Sequence, residues 1–240
     1  MVRLSAQVIS DALSYINPIG ERELDLRGKR IQVIENLGAT SSDCDCIDFT
    51  DNEIAVLGGF PHRPRQTTLL LARNRLQQIS PQIATSLPSL HSLVLAQNNI
   101  KELADVDPLG RLTKLTTLVL MENPIASKEN YRLWIIWRCP TVRFLDYRRV
   151  RDVERNEAKT LFGTAEEPTP LANQIMGLRT NTFDIPTAAP TGPSDSITRL
   201  KLTVEERGRV EKALERARSL EEIDRLEQML KEGKIPGAAI

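Results

Sequence analysis

Along the first two thirds of the chain, apolar and polar positions repeat as one unit, LxLxxNxI, most complete in Leu93-Val94-Leu95-Ala96-Gln97-Asn98-Asn99-Ile100. Ile47, Phe49, Asn52 and Ile54 hold the same places, as do Leu69, Leu71, Asn74 and Leu76, and again Leu118, Leu120, Asn123 and Ile125. A weaker first copy, Leu24, Leu26 and Ile31, carries Lys29 where the asparagine belongs. Two apolar residues one apart put both side chains on one face of a short strand, and the apolar positions that follow fold back over them. The asparagine comes where the chain leaves the strand. Its amide donates and accepts at once, which suits backbone groups that the turn would otherwise bury unpaired.

The copies start roughly 22 to 25 residues apart, inside the span of about 20 to 29 for leucine-rich repeats. One unit cannot cover its own apolar face, so each buries its neighbour's. The array predicted is an α/β fold, a right-handed leucine-rich-repeat solenoid with parallel strands on a concave face and the asparagines stacked as a ladder. In repeats four and five the spacing Leu87-Leu90-Leu93 and Leu112-Leu115-Leu118 allows a turn or two of helix or 3₁₀ on the convex side. Repeat three, with Pro61, Arg63, Pro64 and Arg65 in its lead-in, is expected to be irregular there.

The rest of the chain divides around this array. Residues 1–22 form an N-terminal cap, in which Ser5 precedes Val8, Ile9, Ala12 and Leu13 at helical spacing, a short helix that lids the first repeat. Residues 23–127 are the repeats. Residues 128–163 form a C-terminal cap: a helix holding Trp134 and Trp137 and ending before Pro140, a last strand through Val142, Phe144 and Leu145, and a basic helix that carries Arg148, Arg149, Arg151, Arg155 and Lys159 to Phe162-Gly163. The tryptophans suit core packing better than base stacking, since nothing between them resembles a binding loop. Residues 164–200 read as a Pro/Thr-rich linker in which Leu171, Ile175, Met176, Leu178 and Phe183 are apolar enough to dock on the domain's own surface. In 201–240 two capping boxes, Thr203-Val204-Glu205-Glu206 and Ser219-Leu220-Glu221-Glu222, open two amphipathic helices, a hairpin that needs a partner.

Charge narrows little, because 32 basic and 32 acidic residues balance. Cys44, Cys46 and Cys139 are too few for a disulfide framework, Met1 to Ile16 has no apolar core of a signal peptide, and no run approaches the ~20 residues that span a bilayer. A soluble protein of a reducing compartment is the expectation. Phosphate-loop, dinucleotide, zinc-protease and nucleophile-elbow motifs are all missing, and His62 and His91 fall in different repeats, so neither catalysis nor a metal or cofactor is expected. By alternation Cys46 is a solvent thiol on the concave face and Cys44 a core thiol.

The concave face is then the candidate site. Repeats one and two present Glu23, Asp25, Arg27, Cys46, Asp48 and Thr50; repeats three to five present Thr68, Leu70, Ala72, Ser92, Val94, Ala96, Thr117, Val119 and Met121. An apolar patch of Leu70, Val94, Val119 and Met121 beside carboxylates suits an amphipathic helix with a basic end.

Several runs carry a specific resemblance: Arg22-Glu23-Leu24-Asp25-Leu26-Arg27-Gly28, Val33-Ile34-Glu35-Asn36-Leu37-Gly38-Ala39-Thr40, Ile47-Asp48-Phe49-Thr50-Asp51-Asn52-Glu53-Ile54, Asn123-Pro124, Tyr131-Arg132-Leu133 and Ile235-Pro236-Gly237. Together they resemble the A-prime protein family of the U2 spliceosomal small nuclear ribonucleoprotein nearly end to end, with departures in Pro61 to Thr68 and in the linker. The resemblance implies a nuclear, non-catalytic splicing scaffold. Its concave face would hold a helix of the B-double-prime protein, an RNA-recognition-motif partner, through Glu23, Asp25, Asp48, Leu70, Ala72, Val94, Ala96, Val119 and Met121. With that partner it would bind a stem-loop of U2 small nuclear RNA, through phosphate contacts from Arg27, Arg149 and Arg151. The tail hairpin would dock other spliceosomal proteins. The alternative is a leucine-rich-repeat regulatory subunit of a protein phosphatase, which would lack the basic cap and the Ile235-Pro236-Gly237 tail.

Overall fold

The computed structural model describes residues 4–39, 44–164 and 167–178, all within the first of two compact units, Met1–Asp184. The expected tail hairpin and most of the linker lie outside the described residues. In chain order the elements are α1 (Ala6–Ser10), β1 (Ser14–Ile16), β2 (Arg22–Asp25), β3 (Cys46–Asp48), β4 (Val56–Leu57), β5 (Thr68–Leu70), β6 (Gln78–Ile79), α2 (Ile83–Ser86), β7 (Ser92–Val94), β8 (Thr117–Val119), α3 (Tyr131–Arg138), β9 (Phe144–Leu145), β10 (Arg148–Arg149), α4 (Asp152–Phe162) and α5 (Pro170–Gly177). Stretches of 3₁₀ helix occupy Leu37–Ala39, Leu103–Arg111 and Pro124–Ser127.

Eight strands form one sheet in the order β1-β2-β3-β5-β7-β8-β9-β10. From β2 to β9 every pairing is parallel, and Leu24, Ile47, Leu69, Leu93, Leu118 and Leu145 stand in one register line. These six side chains are at most 4% exposed and form the spine of the core. On the opposite side β4 and β6 make a two-stranded parallel pair, and helical turns appear at α2 and at 103–111, just before the leucine triplets of repeats four and five. Residues 61–67 are irregular, as the prolines require.

The asparagine ladder holds the stack together. Asn52 accepts from the Ile31 N–H and donates to the carbonyls of Leu26 and Phe49. Asn74 does the same for Ile54, Phe49 and Leu71, Asn98 for Leu76, Leu71 and Leu95, and Asn123 for Ile100, Leu95 and Leu120. Each amide thus bridges its own repeat to the one before. The first repeat has no predecessor, which is why an exposed Lys29 serves in its place. The residue ahead of each ladder position, Gly28, Asp51, Arg73, Gln97 or Glu122, takes positive φ between 54° and 64°, the turn that aims the amide inward.

Both ends differ from the expectation. At the N-terminus the helix is only five residues long, and the sheet edge is covered by β1, which pairs antiparallel with β2. Leu13 is therefore not on a buried helix face but 72% exposed. At the C-terminus Arg148 and Arg149 are on β10 rather than in the basic helix, which begins at Asp152 after the Glu154 carboxylate accepts from the Arg151 N–H. Trp134 is fully buried, with its indole N–H donating to the Leu103 carbonyl and Phe162 edge-on at 5.1 Å, and Trp137 donates to the Gly163 carbonyl. Core packing is the role of both.

Residues 170–177 are also not linker. They form α5, capped by the Thr169 hydroxyl, which accepts from the Ala172 N–H and donates to the Leu161 carbonyl. Ala172 is buried and Ile175 and Met176 pack on the core, so these dock on their own domain, whereas Leu171 and Leu178 are exposed and Phe183 lies outside the described residues. Asn98→Ala leaves one buried donor and several carbonyls without their partner, and urea unfolding is expected to show a loss of about 2–4 kcal/mol. Asn99→Ala, at an exposed neighbour, is expected to stay within about 0.5 kcal/mol; equal effects would refute the ladder's role.

Candidate functional site

The parallel register lines up the concave positions of successive repeats. One row runs Asp25, Asp48, Leu70, Val94, Val119. A second runs Glu23, Cys46, Thr68, Ser92, Thr117, Phe144, Arg149. A third follows from the backbone bonds past the strand ends, Thr50, Ala72, Ala96, Met121. The face is thus acidic at one end, apolar or small in the middle, and aromatic and basic at the other.

The acidic end is more covered than alternation alone suggests. Tyr15 on β1 donates its hydroxyl to Glu23 at 2.7 Å, and the Asn17 amide donates to the other Glu23 oxygen at 3.1 Å. Glu23 and Asp48 are only 7% and 5% exposed, leaving Asp25 as the most accessible carboxylate of its row. Cys46 is not a solvent thiol. It is buried against Glu23, and burial together with the Glu23, Glu21 and Asp48 charges pushes its thiol far up. Cys44 and Cys139 are buried as well, burial pushing Cys139 up to about 12.

Arg27 is held by this acidic end. Its guanidinium is bidentate to Asp25, at 3.0 and 2.7 Å, and lies 3.5 Å from Asp48. The Arg27 hydrogen bonds in turn lower the Asp25 carboxyl below its ordinary range. Six strand spacings separate β2 from β10, roughly 29 Å along the sheet, so Arg27 is not brought together with Arg149 and Arg151. Those two line a cavity of about 600 Å³ with Arg132, Arg148, Val153 and Glu154.

In the middle, Leu70, Ala72, Val94 and Ala96 are half-buried and Met121 is 39% exposed. Val119 corrects the expected patch. It has no exposed surface, yet lies outside the core cluster, so it is packed within its own face and supplies support rather than contact area. Phe144, 46% exposed and in register with Thr117, extends the apolar strip at the far end. The sequence places it only on the last strand; its alternation with the buried Leu145 is the signal that puts it on the outer face.

Among the described residues there is no cluster of acidic, histidine or cysteine side chains that could hold a metal, and no helix long and apolar enough to cross a membrane. A leucine-rich-repeat family model matches residues 1–176. Over the whole chain, 59% of positions are identical to the U2 small nuclear ribonucleoprotein A' of Aspergillus fumigatus, of which 94% is covered. The chain belongs to the U2 small nuclear ribonucleoprotein A' family. Its identity to the human U2 small nuclear ribonucleoprotein A' is 42%, over 99% of this chain and 91% of that one. A chain in the crystal structure of the Drosophila melanogaster SNF/U2A' complex superimposes with a TM-score of 0.66 and 44% identity, covering 69% of this chain and 95% of that chain.

Membership of the A' family makes this a nuclear, non-catalytic leucine-rich-repeat component of the U2 small nuclear ribonucleoprotein, acting in pre-mRNA splicing. The phosphatase-regulator alternative falls with it. Burial of all three thiols is checked by titration with a chromogenic disulfide at pH 8: no fast-reacting thiol is expected in the native protein and three in urea, and one fast thiol before unfolding would contradict the covered acidic end.

Proposed function

We propose that the concave face holds a helix of the B-double-prime protein, an RNA-recognition-motif partner, and that the pair binds a stem-loop of U2 small nuclear RNA. The observation that carries this reading is the order of chemistry along the register rows: carboxylates, then Leu70 and Val94 with Ala72, Ala96 and Met121, then Phe144 and the arginines. A helix laid across these strands finds an apolar centre for its own apolar stripe and a negative end for its basic residues. The occurrence of a similar fly chain in a complex with SNF supports a protein partner for this fold.

RNA contact falls to the other end. Arg149 and Arg151, with Arg148 beside them, are exposed and have no carboxylate within ion-pair distance among the described residues, so their charge is available to phosphates. Arg27 is neutralised by Asp25 and Asp48, and its part is to shape the acidic end. The tail hairpin, outside the described residues, is the proposed docking element for further spliceosomal proteins.

Leu70→Asp together with Val94→Asp puts two carboxylates where the partner's apolar stripe would lie. Each such change costs about 2 kcal/mol or more at a hot spot, roughly 30-fold in affinity. Loss of partner capture with an unchanged unfolding curve is the expected result, and capture at wild-type level sinks the concave assignment. Separately, Arg149→Glu with Arg151→Glu is expected to flatten the dependence of log affinity for RNA on log salt by roughly one unit per arginine. An unaltered slope removes both residues from the RNA contact.

A further inference from the structure

The hairpin joining β9 to β10 has a two-residue turn: Leu145 pairs with Arg148 and Phe144 with Arg149, leaving Asp146 and Tyr147 between them. Both have positive φ, 52° and 60°, as a type I' turn requires, and such turns are ordinarily built from Asn-Gly, Asp-Gly or Gly-Gly. Asp146 has a structural reason to be there. Its carboxylate accepts from the Leu120 N–H at 2.7 Å and from the Tyr131 hydroxyl at 2.8 Å, closing the last repeat.

Tyr147 has none. It occupies the position where glycine is the default, in a conformation that bulky residues rarely adopt. Its side chain is 72% exposed, makes no hydrogen bond among the described residues, and belongs to neither the core nor the aromatic cluster of Trp134, Trp137 and Phe162. A strained residue that the fold does not use points to binding. Its surroundings say to what. Arg143, Arg148, Arg149 and Arg151 lie within four positions of it, all exposed and making no ion pair within 4 Å among the described residues, Arg151 alone sharing its field with Glu154, whereas Arg132 and Arg138 are tied to Glu154 and Asp107 and Arg155 donates to the Pro140 and Val142 carbonyls. The one acid in the segment, Asp146, has both oxygens engaged.

We propose that Tyr147 is a stacking platform for an unpaired base of the bound RNA, with Arg148, Arg149 and Arg151 holding the phosphates that flank it. A polyanion is what four exposed arginines in one segment select, and a base is the part of it with a flat face for an exposed ring. The inference rests on the RNA reading above and adds to it a contact that is neither electrostatic nor made on the concave face.

The test uses the full chain with its RNA-recognition-motif partner and a labelled U2 small nuclear RNA stem-loop, titrated at several salt concentrations. Tyr147→Gly removes the strained side chain and is expected to raise the melting temperature while weakening RNA binding about 5- to 150-fold, the range for one stacked base. Its salt slope is expected to match wild type, whereas that of Arg149→Gln flattens. Tyr147→Phe, which keeps the ring, is expected to bind within twofold of wild type. Wild-type RNA affinity in Tyr147→Gly beside a weakened Arg149→Gln overturns the stacking contact and leaves the phosphate reading standing. Weakened capture of the partner protein by Tyr147→Gly in the absence of RNA assigns the residue to a protein contact and also overturns it. If the wild-type chain adds nothing to the partner's own RNA affinity, the RNA reading fails and the stacking contact with it.

Discussion

The structure depends on one side-chain amide used four times. A short strand that turns back over itself every 22 to 25 residues leaves, at each turn, an N–H and carbonyls that lie too deep for water. Asn52, Asn74, Asn98 and Asn123, each at most 7% exposed, supply the missing partners, and supply them to two repeats at once. An aspartate in the same place cannot donate to the carbonyls, and a leucine can do neither. Because each amide reaches backward, the contact specifies the register of neighbouring strands as well as their attachment. The positive φ ahead of each asparagine is the backbone cost of aiming it, accepted by Asp51, Arg73, Gln97 and Glu122, whereas the glycine that takes it freely, Gly28, precedes Lys29 in the repeat without an asparagine.

A ladder that reaches backward cannot finish either end of the stack. At the start, β1 pairs antiparallel with β2 and covers the edge that has no preceding repeat. At the finish, Asp146 takes over from the main chain: its carboxylate accepts the Leu120 N–H that in earlier repeats, at Leu71 and Leu95, is met by a strand carbonyl. Behind it α3, α4 and α5 close the core with Trp134, Phe162 and Ala172, and Gly163 turns the chain between α4 and α5 where a Cβ would collide with the Glu167 carbonyl. The charged pair between Arg132 and Glu154 locks α3 to α4, and that contact holds the Glu154 carboxyl below its ordinary range.

What was legible in the sequence follows from which contacts are local and periodic. Strand leucines, ladder asparagines and the acidic-to-apolar order of the concave face repeat at one spacing, so the pattern names them before any coordinates do. The capping strand was not legible, because Ser14-Tyr15-Ile16 carries no alternation that outweighs the helical spacing of Val8, Ile9, Ala12 and Leu13. That omission explains the error at the acidic end. Without Tyr15 and Asn17 over Glu23, that carboxylate reads as open surface, and with it Cys46, whose thiol donates to Glu23. Likewise Val119 obeys the alternation and faces away from the core, but crowding by its own face is a tertiary matter. Arg148 and Arg149 fell into a helix on paper because their pairing partners, Leu145 and Phe144, are bound to them only through a turn with an atypical residue.

The two ends of the concave face differ in how far their charges are already satisfied. Glu23 has partners in Tyr15 and Asn17, Asp25 in Arg27, and Asp48 accepts from the Thr50 N–H while lying near the same guanidinium. These bonds hold the carboxylates in fixed places, so the basic helix end proposed for this face would meet a preorganised field and lose little ordering entropy on contact. The carboxylates also have less to gain from a new bond, since the free protein has already made several. The arginines near β10 are the reverse: Arg148 and Arg149 are exposed and, among the described residues, make no ion pair, so they lose more on ordering but have more of a new interaction to gain. On the proposed reading, affinity for a helix comes chiefly from the apolar centre at Leu70 and Val94, orientation from the acidic end, and salt-dependent attraction for a polyanion from the basic one. The sheet register that the asparagines impose is what keeps these three stretches of the face in line.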